Sequence, residues 1–134
     1  MRYLLDVNVL VAWGWEDHAD HRRVAAWIAA VRKSPRLSFL TSAIPELGFV
    51  RVSVQRAEGR VSPKMASQVL ASMIQALGTK HVFIPDDQRA ISPWPEWCQG
   101  AGRTTDAHLL ALAHSHGAVL ATLDRSIPEA FLIP

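Results

Sequence analysis

The sequence contains a single cysteine, Cys98, so no disulfide can form within the chain. This scarcity agrees with a reducing compartment. A secretory signal is not expected either, because Asp6 and Asn8 interrupt the apolar run that follows Arg2. No other stretch resembles a membrane span. We therefore expect a cytoplasmic protein without a membrane segment.

Internal repeats and low-complexity tracts are also absent, and the 134 residues fit one domain spanning 1–134. The composition, 49% hydrophobic and 19% charged, is that of an ordinary globular protein and excludes a disordered chain. The net charge is +2 and the pI is near 9.1. Such a weak positive charge permits a polyanionic partner without requiring one.

Short buried apolar runs alternate with longer amphipathic stripes along the chain. The runs predict strands at 2–6, 37–41, 81–85 and 118–122 and an edge strand at 131–134, and the stripes predict helices at 17–33, from about 42 to 57, 63–77 and 106–116. Periodicity leaves 8–13 open between strand and helix, although length favours a strand that ends near Asp6. Strands that alternate with helices in this way predict a parallel sheet covered on both faces, an α/β sandwich.

Local signals mark where the helices begin. Thr41 or Ser42 can cap the helix from about 42, Ser62 precedes a proline at the first helical position, and Thr104-Thr105 precedes the last helix. The segment 85–103 is the least regular part of the chain. A loop of that length is usually functional or contains a short helix, and we expect some of both.

Four acidic residues fall where the carboxyl ends of parallel strands meet. Asp6 and Asp124 follow strands, whereas Glu46 and Asp106 lie in first helical turns. Each alone has an ordinary explanation, such as helix capping or an ion pair. Together they would repel one another by a few kcal/mol per close pair, at an effective dielectric constant of about 20. A cation removes that repulsion, and an all-oxygen set favours Mg²⁺ or Mn²⁺ over zinc.

Three stretches, "LLDVNVLVA", "SAIPELGFVR" and "TTDAHLLALAHSHGAVLATLDRSI", cover much of the chain in a characteristic order. With them the sequence resembles the PIN-domain family, and within it the VapC-like toxin ribonucleases of toxin-antitoxin pairs. The resemblance implies a three-layer α/β/α sandwich with a mainly parallel sheet of four or five strands, and a single nuclease domain. It also implies Mg²⁺-dependent RNA cleavage, an antitoxin that wraps the toxin, and a homodimer. Long grooves beside the helices at 17–33 and 63–77 could accept the antitoxin segment.

The resemblance assigns the catalytic, metal-binding pocket to Asp6, Glu46, Asp106 and Asp124, with Asn8 and Thr122 as polar supports. We interpret Asp6 and Asp106 as the principal ligands of one Mg²⁺. Asp124 and Glu46 would then bind directly, through water, or at a second ion.

The roles of the neighbouring side chains stay open at this point. Asn8 and Thr122 either orient the carboxylates or satisfy turn backbone. Arg103 and Arg125 either hold RNA phosphates or pair with the acids. For Trp94 and Trp97, packing of the long loop is preferred to base stacking, and the histidines, including His18 and His21, are expected in non-ligand roles.

Other functions share part of this pattern. A haloacid-dehalogenase-like phosphohydrolase also begins with a strand-end Asp, but it uses a second Asp two residues later, where this chain has Asn8. Receiver domains cluster acids at a sheet edge and then place a Lys after a late strand, which is missing here. An acidic-pocket binding module for a basic partner peptide is the non-enzymatic alternative.

Overall fold

The computed structural model describes residues 1–91 and 93–134. Its strands are β1 (Arg2–Leu5), β2 (Ser38–Thr41), β3 (His81–Phe83), β4 (Val119–Thr122) and β5 (Phe131–Leu132). Its helices are α1 (Val7–Gly14), α2 (His21–Val31), α3 (Ala43–Arg56), α4 (Pro63–Leu77) and α5 (Thr104–Ser115), with short 3-10 helices at Gly78–Lys80 and Ala101–Arg103. None of the helices in the described ranges is long and apolar enough to cross a membrane.

The strands form one sheet in the order β3-β2-β1-β4-β5, and all four pairings are parallel. Side chains alternate across the sheet because successive strand residues point to opposite faces. Leu4, Leu40 and Leu120 pack with α5 on one face. Tyr3, Leu5 and Phe39 pack on the other face with side chains of α1, α2, α3 and α4. The expected three-layer α/β/α sandwich with a parallel sheet is confirmed.

The strand order places a switch point beside β1. The chain builds β1, β2 and β3 to one side of the sheet and then returns to add β4 and β5 on the other. In open parallel sheets, ligands bind beyond the carboxyl ends of the strands at such a point. The backbone N–H of Asp6 donates to the carbonyl of Ala121 at 3.0 Å, which ties the end of β1 to the end of β4.

Segment 8–13, which periodicity left open, is helical. Helix α1 begins at Val7, only one residue after β1 ends, and Asp6 is its N-cap residue. The predicted helix over 17–33 is shorter, His21–Val31, because 16–20 forms turns. The strand predicted over 81–85 ends at Phe83. The edge strand near the C-terminus is confirmed at Phe131–Leu132.

Two of the three predicted cap positions, Ser62 and Ser42, are confirmed, and the third, Thr104-Thr105, is wrong. Ser62 caps α4 as expected, because its hydroxyl oxygen accepts from the N–H of Met65. Ser42 stands at the cap position of α3, but its hydroxyl donates to the carbonyl of Ile84 instead. Helix α5 begins at Thr104 with Arg103 as the cap residue, and the Thr104 hydroxyl donates to the carbonyl of Ala101. In both cases a contact with a neighbouring segment takes the hydroxyl.

The segment 85–103 contains, in its described part, one short 3-10 helix at Ala101–Arg103. Near the start of this segment, Oδ2 of Asp86 lies 2.6 Å from Nε2 of His108, which connects the segment to α5. Trp97 packs against the core on the α5 side of the sheet, as the packing interpretation expected, whereas Trp94 is 44% exposed.

Helices α1 and α3 approach closely at Gly48, so we expect Gly48→Ala to destabilise the protein. An alanine β-carbon there would lie 2.5 Å from Cγ2 of Val7, a stiff β-branched side chain. Overpacking costs about 1–3 kcal/mol and the gain in helix propensity returns up to about 1 kcal/mol, so we expect a net loss of up to roughly 2 kcal/mol. Denaturant unfolding measures the loss.

Gly102→Ala is the matched control, since nothing lies within 4 Å of a β-carbon at that position. Adding Val7→Ala to Gly48→Ala should recover part of the lost stability, because the two positions are in contact. Equal stability of Gly48→Ala and Gly102→Ala would contradict the close approach of the two helices.

Candidate acidic metal site

Asp6 lies at the junction of β1 and α1 and is only 6% exposed. Its Oδ1 accepts from the N–H of Val7 at 2.7 Å, and its Oδ2 accepts from the hydroxyl of Thr122 at 2.7 Å. Burial and the charge of Asp124 outweigh these hydrogen bonds and raise the pKa of Asp6. No ion pair among the described residues includes Asp6. Its buried charge therefore has hydrogen-bond donors but no protein cation.

Asp106 lies in the first turn of α5, as expected. Partial burial raises the pKa of this carboxyl, and the charges of Asp6 and Asp124 raise it further. Arg103 opposes the rise, with its Nε 3.6 Å from Oδ2 of Asp106. The structure thus brings three of the four predicted acids within electrostatic reach of one another.

Asp124, beyond the end of β4, has the opposite behaviour. Its Oδ1 accepts from the N–H of Ser126 at 2.8 Å and from the Ser126 hydroxyl at 2.7 Å. These hydrogen bonds lower the pKa of Asp124. The site therefore combines one carboxylate that ionises readily with two that resist ionisation unless a positive charge is nearby.

Glu46, the fourth predicted acid, lies in the first turn of α3 beyond the end of β2. Its Oε2 accepts from the hydroxyl of Thr41 at 2.7 Å, and Nε2 of His81 lies 2.7 Å from the same hydroxyl. Burial lowers the pKa of His81, and the charge of Glu46 partly opposes that shift. Asp6, Asp106 and Asp124 form an acidic trio, and the negative charges that raise the pKa values of Asp6 and Asp106 come from within it. The charge of Glu46 acts on His81 instead.

Asn8 and Thr122 connect the two strand ends around Asp6. The Thr122 hydroxyl donates to Asp6 and accepts from the backbone N–H of Asp124 at 3.1 Å. The side-chain amide of Asn8 donates to Thr122 Oγ1 at 3.2 Å, and its oxygen accepts from the N–H of Leu123 at 3.1 Å. The two side chains therefore orient the Asp6 carboxylate and also satisfy turn backbone, the two roles between which the sequence did not decide.

Arg103 has three partners of its own. Its guanidinium lies 4.8 Å from the centre of the Trp97 ring, its NH2 group donates to the carbonyl of Ser126 at 2.6 Å, and Asp106 forms the ion pair described above. Of the two roles left open for Arg103, the structure contains the pairing with an acid. Arg125 is exposed. Phosphate contact by either arginine stays a prediction.

An open cleft of about 340 Å³ is lined by two members of the trio, Asp6 and Asp106. Asp6, Asn8 and Asp106 line it together with two basic side chains, His18, for which the sequence predicted a role other than metal ligand, and Arg51, which the sequence did not single out. Arg51 ends the stretch "SAIPELGFVR", which was its only sequence signal. His18 lies in the turn between α1 and α2, and only the tertiary fold brings it to the acids.

In residues 1–91 and 93–134, no three His, Cys, Asp or Glu side chains already converge as ligands of one metal ion. Internal hydrogen bonds occupy Asp6 and one oxygen of Asp124. An ionised carboxylate nevertheless offers about four acceptor positions, of which Asp6 uses two. The donor set is all oxygen and lacks an internal cation at Asp6, a chemical composition that suits a hard divalent ion.

Comparison with known proteins places these features in a family. The PIN domain family model matches residues 3–130. Ribonuclease VapC39 of Mycobacterium tuberculosis is 36% identical, with 97% of this chain and 94% of that protein aligned. Ribonuclease VapC44 of the same species is 37% identical over 95% of this chain and 89% of its own length.

Solved structures agree with the fold. Mycobacterium tuberculosis VapC20, described as a sarcin-ricin loop cleaving toxin, superposes with a TM-score of 0.58 at 15% identity, covering 93% of this chain and 92% of its own. VapBC2 from Rickettsia felis, bound to a DNA fragment from its promoter, also superposes with a TM-score of 0.58. Its identity is 13%, and the superposition covers 98% of this chain and 97% of its own. The length of the family match and the identity to the mycobacterial relatives show that the chain belongs to the PIN-domain family and groups with its VapC members.

Proposed function

We propose that this protein is a Mg²⁺- or Mn²⁺-dependent endoribonuclease, a phosphodiester hydrolase that acts as the toxin of a VapBC-type pair. The observation that carries the proposal is the acidic trio at the switch point of the sheet, in which Asp6 is buried without a protein cation. The aligned relatives are named ribonucleases, which supports RNA as the substrate.

Asp6 and Asp106 would hold the divalent ion as principal ligands. Asp124 would bind directly or through water, and Glu46 through water or at a second ion, since Glu46 interacts with Thr41 beside the next strand. When bound, such an ion lowers the pKa of a coordinated water and offsets negative charge that develops on a phosphate. The catalytic assignment of Asp6, Glu46, Asp106 and Asp124 remains our proposal.

The other side chains of the site prepare this arrangement. Thr122 keeps the Asp6 carboxylate turned toward the end of β4, and Asn8 holds Thr122 and the Leu123 backbone in place. Because Asp124 ionises readily, it supplies negative charge to the site even when Asp6 and Asp106 are protonated. The ion pair with Arg103 lowers the cost of ionising Asp106 before any cation arrives.

We further propose a VapB-like antitoxin as the protein partner, a homodimer, and a cytoplasmic location. The Rickettsia felis relative is described as a VapBC complex, which supports the antitoxin. An open groove of about 550 Å³ runs beside α4, the predicted helix 63–77, and Trp13, Met65, Val69 and Met73 line it. An apolar antitoxin segment matches that groove.

Asp106→Asn should reduce RNA cleavage in Mg²⁺ or Mn²⁺ by at least about 100-fold. Removing an outer-shell partner of a metal ligand lowers metal affinity or activity by roughly 10–100-fold, so the loss of a direct ligand should lower activity at least as much. A gel assay of a labelled single-stranded RNA, with and without each metal, measures the loss. Asp87→Asn is the control, because the Asp87 side chain is 80% exposed. Full activity of Asp106→Asn, or equal cleavage in a chelator, would remove the metal-ligand assignment.

The cleaved RNA should carry 5′-phosphate and 3′-hydroxyl ends. When a water attacks the phosphorus and the bond to the 3′ oxygen breaks, the leaving group becomes the 3′-hydroxyl and the phosphate stays on the 5′ end. Attack by the RNA's own 2′-hydroxyl breaks the bond to the 5′ oxygen instead and gives a cyclic phosphate. Ligation of an adaptor that requires a 5′-phosphate identifies the ends. Cyclic phosphate products are incompatible with the proposed mechanism.

In metal-free protein at neutral pH, Asp6→Asn should raise the melting temperature and Asp124→Asn should lower it. The folded-state pKa of Asp6 is raised, so folding favours its protonated form, and stability falls as the pH increases from the unfolded value near 3.8 through the raised pKa. The folded-state pKa of Asp124 is lowered, so folding favours its ionised form, and the Asn variant loses that stabilisation at neutral pH. For a chain of this length, 1 kcal/mol corresponds to about 3–5 °C.

The same melting curves also test metal binding. Mg²⁺ should stabilise the wild-type protein and leave Asp6→Asn nearly unchanged, because a ligand that binds only the folded state raises its stability. The difference between wild type and Asp6→Asn in metal-free buffer should shrink as the pH falls toward 4. A lower melting temperature for Asp6→Asn at pH 7 would mean that the Asp6 charge is compensated internally.

A further inference from the structure

The cleft beside the acidic trio is lined by side chains of both charges. Asp6 and Asp106 line it together with Arg51 of α3 and His18 of the α1–α2 turn. Acidic residues alone would repel a polyanion, and a bound divalent ion neutralises the charge only at the position it occupies. The phosphates that flank a cleaved bond still need positive or hydrogen-bonding groups.

Arg51 is the cleft cation that is free to take such a role. It is exposed, and no ion pair or hydrogen bond among the described residues involves its side chain. Its helix neighbour Arg56 pairs with Asp17 at 3.2 Å, and Arg103 has the three partners given above. A guanidinium presents parallel N–H groups that match two phosphate oxygens.

His18 adds a hydrogen-bond donor to the lining of the same cleft. Its Nδ1 accepts from the backbone N–H of Asp20 at 3.0 Å, so Nδ1 carries no proton. In the neutral ring the proton then resides on Nε2, on the opposite side of the imidazole. The turn therefore fixes the tautomer and leaves the Nε2–H as the donor available to a ligand in the cleft.

We propose that Arg51 and His18 bind the phosphate that neighbours the cleaved one on a single-stranded RNA, and so position the strand across the acidic trio. The inference rests on the proposed ribonuclease function and identifies the residues that hold its substrate. The cleft volume of about 340 Å³ is near the lower limit of ligand sites, roughly 300–1,000 Å³. A cleft of that volume suits one unpaired nucleotide, whose base can leave the stack in a single strand.

RNA binding without cleavage provides the test. The probe is a fluorescein-labelled single-stranded RNA 12-mer of mixed sequence, titrated with Asp106→Asn protein in Mg²⁺ at several NaCl concentrations. Adding Arg51→Met should weaken binding about tenfold or more at low salt, as expected for a lost charge-assisted contact. It should also reduce the slope of log K against log [salt] by about 0.7, the value for one phosphate contact on a single strand. Arg51→Lys should keep the slope and lose part of the affinity.

Arg22→Met is the matched control, an exposed arginine on α2 that should leave both affinity and slope unchanged. For His18, Asn keeps an acceptor for the Asp20 N–H but cannot reach the ligand, whereas Gln places an amide donor near the Nε2 position. We expect His18→Asn to weaken binding about threefold to tenfold at an unchanged salt slope, and His18→Gln to restore part of it. Melting curves of every variant separate loss of contact from loss of fold.

Each outcome decides a different point. If wild-type protein cleaves RNA but Arg51→Met has the slope and affinity of Arg22→Met, this inference is wrong and the ribonuclease assignment stands. If wild-type protein cleaves no RNA under any metal condition, the proposed function itself fails. If Arg51→Met binds RNA normally but loses binding of a hexaglutamate peptide, Arg51 serves an acidic protein partner, and the RNA assignment is overturned. A parent protein without salt-dependent RNA binding overturns it as well.

Discussion

The buried carboxylate of Asp6 is the constraint around which the rest of this site is arranged. Helix α1 starts one residue after β1, so Asp6 is at once the end of a central strand and the N-cap of a helix. That position fixes the side chain between two rigid elements and keeps it out of bulk water. The hydrogen bonds from Val7 and Thr122 do not compensate its burial, because the pKa of Asp6 is still raised. The fold therefore maintains a charge that costs stability, which is common where a protein holds a ligand.

The neighbouring residues transmit this constraint to the rest of the cleft. Thr122 stands at the end of β4, so its contact with Asp6 connects the two strands that flank the switch point. Asn8 joins the same contact from the first turn of α1. A shift of either strand end would move the carboxylate and both polar supports together. The geometry of the site thus depends on the sheet register, which the alternating packing of Tyr3, Leu4 and Leu5 on the two faces determines.

The sequence predicted the parts of this structure that depend on local pattern. Buried runs such as "LSFLT" located the strands. Three of the four predicted acids, Asp6, Asp106 and Asp124, lie within electrostatic reach of one another, because the carboxyl ends of parallel strands share one edge of the sheet. Helix α1 was ambiguous because a short apolar run fits either strand or helix, and the capping role of Asp6 emerges only once that helix exists. The separation of Glu46 from the trio and the presence of His18 in the cleft depend on side-chain contacts between distant segments. No periodicity in one sequence encodes such contacts.

The distribution of charge in the cleft also separates the competing functions. A phosphohydrolase that begins with a strand-end Asp needs a free nucleophilic carboxylate and an acid two residues on, but here both oxygens of Asp6 accept hydrogen bonds and position 8 is an amide bound to Thr122 and Leu123. A module that only received a basic peptide would place acids where the peptide enters. This cleft instead combines buried Asp6 and half-buried Asp106 with Arg51 and His18. In the proposed function, a divalent cation held by the acids and a phosphodiester anion held by the basic side chains would satisfy both sets of charges.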